Sequence, residues 1–106
     1  MSKRIDQIPK HDRPREKLVA KGASALNDQE LLAVLLGKGT ARMDVMTLAG
    51  NLVRVVDEKG LSLRTEDLTA FDGVGEAKAT LVLAAIEFAR RRIKPEGLKI
   101  SMPADV

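Results

Sequence analysis

Apolar residues recur along this chain at the three- and four-residue spacing of helices, and no stretch alternates at period two over a strand's length. The first helical segment runs from Pro14 to about Lys21: proline suits a first helical position, Glu16 lies near the start and Gly22 closes the end. The second opens at Asn27, where Asn27-x-x-Glu30 has the form of a capping box, carries Leu31, Leu32, Val34, Leu35 and Leu36, and stops at Gly37. The third spans about Met43 to Asp57, with Val45, Leu48, Ala49, Leu52 and Val56 on one stripe, and Gly60 ends the turn beyond it. Thr65 then caps a short helix from Glu66 to Phe71, whose acidic first turn suits the helix dipole. The last helix, Glu76 to about Ile93, is apolar over a wide arc: Leu81, Val82, Ala85, Ile86, Phe88 and Ala89. So wide an arc predicts contact with more than one neighbour and a central position. Pro95 and Gly97 break the pattern, leaving residues 98–106 as an extended tail. The expectation is an all-α bundle of about five helices over residues 1–97, with 1–13 as an N-terminal arm.

The pattern also echoes itself. A shift of 36 residues aligns Leu32 with Leu68, Leu35 with Phe71, Gly37 with Gly73 and Gly39 with Gly75, and further on Leu48 with Ala84, Ala49 with Ala85 and Leu52 with Phe88. Each copy reads helix, Gly-x-Gly turn, helix, which predicts two pseudo-symmetric helical pairs.

Composition changes this picture little. At 44% hydrophobic and 31% charged, the 106 residues describe an ordinary globular chain. No apolar run suits a membrane span, and Met1-Ser2-Lys3-Arg4 opens no secretory signal. With no cysteine, thiolate metal sites and disulfides are excluded, and a cytoplasmic location is the expectation. The only histidine, His11, has no partner histidine for a metal site, and no cofactor is expected. Net charge is +3, unevenly spread: seven Lys/Arg against three Asp/Glu in residues 1–21, five against seven in 22–70, six against five in 71–106. Basic ends fit either polyanion contact at selected surfaces or plain solvation. Aromatic residues number two, Phe71 and Phe88, both at helical apolar positions, so base stacking is a poor expectation and core placement the better one.

Gly73-Val74-Gly75, between a short helix and a longer one, carries the chemistry. Glycine adopts positive φ cheaply, and Val74 is expected to tuck under the turn and pin it. Unpaired amides of the turn and of the next helix's first residues then face outward at the positive end of the dipole, ready for a phosphate oxygen. Lys78 lies in that first turn and adds a cation. In the upstream copy, Gly37-Lys38-Gly39, lysine replaces the apolar plug, while Lys38 and Arg42 set two cations beside the same kind of turn. That copy is either a degenerate structural relic or a site whose charge offsets its geometry. For both turns the alternative is glycines joining antiparallel helices without a ligand.

The stretch from Leu68 to Ala79, with Phe71, Gly73, Val74, Gly75 and Lys78 in register, resembles the helix–hairpin–helix signature of DNA repair and recombination proteins. The resemblance implies a fold of the RuvA C-terminal, helix–hairpin–helix kind with one clear and one degenerate motif. It also implies sequence-independent contact of Gly73, Val74, Gly75 and Lys78 with the phosphate backbone. Asp72 departs from the pattern, since that position is often proline, and it brings an anion close to the phosphate site.

A wider resemblance rests on Arg13-Pro14-Arg15-Glu16-Lys17-Leu18, Gly22-Ala23-x-Ala25-Leu26 and Glu30-Leu31-Leu32-Ala33-x-Leu35-Leu36-x-x-Gly39-Thr40. These look like the N-terminal region of the RadC family, which is named for DNA repair. Family members typically continue into a JAB/MPN-type domain with a zinc site, which is absent from this sequence; residues 98–106 then read as a linker toward it. The leading expectation is a non-catalytic DNA-backbone-binding module with duplex or branched DNA as partner. The alternative is a positioning module for the downstream JAB/MPN domain with purely structural hairpins. Arg13 and Arg15 are open to two readings, a second phosphate contact or ties to acidic residues near Asp28 or Asp67. Arg90-Arg91-Arg92 reads as a charge complement to a helix C-terminus. A glycosylase reading has only Lys99 and Asp105 to draw on, in a tail without a pocket.

Overall fold

The computed structural model describes residues 4–40, 42–94 and 97–98, and everything below concerns these. Five α-helices form the bundle: α1 (Pro14–Lys21), α2 (Asp28–Leu36), α3 (Val45–Lys59), α4 (Thr65–Thr69) and α5 (Glu76–Arg90). A minimal antiparallel pair, β1 (Ile93–Lys94) and β2 (Gly97–Leu98), follows. Among the described residues no helix is long and apolar enough to cross a membrane.

Local chemistry sets the helix ends. Proline begins α1 and Gly22, at φ 90°, ends it. The Asn27 side chain accepts from the Glu30 amide at 2.8 Å, and Glu30 accepts from the Asn27 amide at 2.9 Å, completing the expected capping box of α2. α3 starts at Val45, the first residue of its apolar stripe and two residues after the expected Met43, because Asp44 caps it, accepting from the Met46 amide at 3.0 Å. The same carboxylate accepts from the Ile5 amide at 3.0 Å, which ties the N-terminal arm to the head of α3. Thr65 belongs to α4 instead of capping it; the cap position is Arg64, whose amide donates to Asp67 at 2.8 Å.

The core joins Leu32, Ala33 and Leu36 of α2 to Val45, Met46, Leu48, Ala49 and Leu52 of α3, with Leu68, Val74, Ala79 and Val82 closing the other side. Leu48, Ala49 and Leu52 are wholly buried, so α3 is the central element. The central position expected for α5 is not observed: its buried residues are Ala79 and Val82, and Phe88, expected in the core, is 61% exposed. Only one flank of the α5 arc meets α2 and α4, while the other stays open. Phe71 packs against the core as expected. α5 also ends at Arg90, three residues short of the expected Ile93, which instead enters the β pairing. Pro95 and residues 99–106, which include Lys99 and Asp105, lie outside the described residues.

Candidate nucleic-acid interface

The two glycine turns lie side by side, held by three contacts. The Arg42 guanidinium pairs with Asp72 at 3.0 Å. The Lys78 amine donates to the Leu36 carbonyl at 3.1 Å. Gly73 presses against Thr40, where a Cβ on the glycine would stand 2.7 Å from the threonine Cβ.

In the downstream turn, Gly73 takes φ 87°, which L side chains rarely adopt. Val74 is buried, and its amide donates to the Phe71 carbonyl at 3.0 Å, so the plug sits where the pattern requires it. Gly75 behaves differently. It is the N-cap of α5 in extended conformation, φ −90° and ψ −175°, with no side-chain cap, and nothing lies within 4 Å of where its Cβ would be. The expectation that both glycines supply positive φ therefore holds for Gly73 alone. Among the described residues no contact requires glycine at position 75. Its exposed surface adjoins the first-turn amides of α5, which have no acceptor within their own helix.

The upstream turn copies the first glycine and not the second. Gly37 takes φ 75° and ψ −56°, and the Lys38 amide donates to the Leu36 carbonyl at 2.8 Å, closing a three-residue turn at the end of α2. A Cβ on Gly39 would run into the Met43 carbonyl and stand 2.6 Å from the Val45 amide, so this glycine is needed for close backbone approach. Residues 40–44 separate it from α3, so no helix starts at Gly39 as α5 starts at Gly75. The 36-residue echo is thus faithful up to Gly37 and Gly73 and diverges beyond them: Leu52 is wholly buried and its counterpart Phe88 exposed.

The charged residues sort accordingly. Lys78 is half-buried and its amine serves the carbonyl end of α2, where a cation complements the helix dipole. Lys38 is exposed beside a shallow hollow of about 370 Å³ that Arg4, Thr40 and Arg42 also line. Asp72 points to Arg42, so the anion that departs from the helix–hairpin–helix pattern is matched by a cation from the other turn. Arg13 ties the arm through the Ile8 carbonyl at 3.1 Å and not through an acidic residue. The pairing with α2 falls instead to Lys17, whose amine meets Glu30 at 3.1 Å. At the far end of α5, Arg90 and Arg91 both grip Glu87, at 2.6 and 2.8 Å, and hold its carboxyl down to about 2 from the ordinary 4.5. Arg92 lies 3.9 Å above the Phe88 ring. Among the described residues, no three His, Cys, Asp or Glu side chains gather as a metal-holding group.

The UPF0758 N-terminal family model matches residues 5–80. A UPF0758 protein of Rubrobacter xylanophilus is 43% identical over 107 residues, covering 96% of this chain and 47% of the relative. Another, from Carboxydothermus hydrogenoformans, is 42% identical over 111 residues, covering all of this chain and 49% of the relative. The chain therefore spans about half the length of these curated relatives. No solved structure matches significantly. By the extent of the family match and these identities, the chain belongs to the UPF0758 family, within its N-terminal part.

Proposed function

We propose that this chain is a non-catalytic module that holds the phosphate backbone of duplex or branched DNA without reading sequence, as part of a RadC-like, repair-associated protein. The observation that carries the reading is Gly75: a glycine that the fold does not need, at the uncapped start of α5, with open space where a side chain would stand. A phosphate oxygen approaching the first-turn amides requires that clearance, and the helix dipole favours its charge. Val74 and Gly73 fix the turn that presents these amides. Of the cations, Lys38 supplies an exposed charge and Arg42 offsets Asp72, while Lys78 contributes by holding α2 against the turn. The upstream turn supports its neighbour, since no helix N-terminus opens at Gly39.

Binding of a fluorescent duplex, followed by anisotropy across a salt series, tests the reading. One hairpin makes few phosphate contacts, so log K should fall against log salt with a slope of roughly −2 to −4. Absence of any binding at low salt would remove the proposal.

A further inference from the structure

The apolar arc of α5 is only half used by the core. At roughly 100° per residue, Val82, Ile86 and Ala79 share one flank, and Phe88, Leu81 and Ala85 the other. The first flank packs inward, whereas Leu81 is 42% and Phe88 61% exposed. Alongside runs a groove of about 440 Å³ between α2, α3 and α5, lined by Leu31, Leu35, Val53, Val56, Ala85 and Ala89. A second hollow shares Ala89 and Ile86 with it and extends to Leu61 and Ile93, exposed at 83% and 58%. The groove's charged lining residues are Asp28 and Asp57, while Arg90 lines the second hollow, so the groove itself repels a polyanion and suits a protein surface.

We infer that this face docks the downstream half of the full-length UPF0758 polypeptide. Two observations select that occupant. The relatives run about twice the length of this chain, and the family match is to their N-terminal part, so a second half of similar size follows it in them. The chain also leaves α5 beside the groove: Ile93, three residues past the helix, lines the adjoining second hollow. β2 pairs back on β1, which keeps Leu98 beside Ile93 at this end of α5. The arc that the sequence makes too wide for its own bundle is then covered by its covalent neighbour, as intrachain domain contacts commonly are.

Hydrogen exchange tests this on the 106-residue chain and on the full-length Rubrobacter relative with its matched half replaced by this chain. Amides of residues 81–90 should exchange at least about ten-fold more slowly in the full-length protein. Leu81→Glu with Phe88→Glu should return them to the rate of the short chain, while leaving the short chain itself unchanged. The pair Leu81→Ala and Phe88→Ala should give an intermediate loss, and serves if the glutamates impair expression. Equal exchange in short and full-length proteins would overturn the inference. So would protection in the short chain that grows with its own concentration, since a second copy would then be the occupant.

Discussion

The Arg42 guanidinium reaches across from the upstream turn to the Asp72 carboxylate of the downstream one, 3.0 Å away. Both side chains are largely exposed, so the pair contributes little to stability. Its consequence is electrostatic, because it removes an anion from beside the α5 N-terminus. Asp72→Asn should leave thermal stability nearly unchanged and strengthen duplex binding about two- to five-fold at low salt, since Arg42 is then unmatched. Anisotropy with wild type and variant side by side checks this, and weaker binding by the variant would show that Asp72 has another task.

Lys78 is expected to act on folding first. Its amine is half-buried and donates to the last carbonyl of α2. Lys78→Met keeps most of the aliphatic stem and removes that bond and charge, at a cost of about 1 kcal/mol. Urea unfolding measures it. A loss indistinguishable from zero would mean the amine is free for a ligand.

The two downstream glycines should separate in a stability assay. Gly73→Ala forces a side chain into a left-handed backbone against Thr40 and should cost about 2 kcal/mol. Gly75→Ala meets open space in an extended conformation. It should stay within about 0.5 kcal/mol, because the lost cap preference is offset by a stiffer unfolded chain. Equal costs at the two positions would contradict the geometry of the turn.

At the other end of α5, hydrogen bonds from Arg90 and then Arg91 lower the Glu87 carboxyl to about 2. A carboxyl lowered in the folded state stabilises it above the ordinary value and loses that contribution as pH falls through the lowered one. The final turn of α5 should therefore keep its ion pairs at pH 4.5 and release them only toward pH 2. A carbon-detected NMR titration of Glu87 reads the midpoint directly; one in the usual glutamate range would show that the arginines do not hold it.

Much of this architecture is legible in the sequence, for reasons that differ by residue. Asn27 and Glu30 announce their own capping box, and Gly22 and Gly37 end their helices, because these effects are local. Leu48, Ala49 and Leu52 reveal a buried stripe. Burial of α5 was not legible, since the apolar arc of Leu81 and Phe88 is the same whether covered by this bundle or by a partner. The site divides in the same way. Gly73 and Val74 follow from the motif. The employment of Lys78 by Leu36, 42 residues away, and the pairing of Arg42 with Asp72 depend on how two turns meet in space. The short 3₁₀ turns at Ile5–Gln7, Lys10–Asp12 and Ala23–Ala25 also escape periodicity, being shorter than one apolar repeat.

The central claim is that the open start of α5 receives a phosphate, and Gly75→Val tests it most directly. Valine suits the extended backbone at this position, and among the described residues nothing lies within 4 Å of its Cβ, yet it places two methyl groups beside the first-turn amides. Duplex affinity measured by anisotropy at about 50 mM salt should fall at least ten-fold, with the circular dichroism spectrum and melting temperature essentially those of the wild type. Undiminished affinity in a folded Gly75→Val protein would contradict the claim.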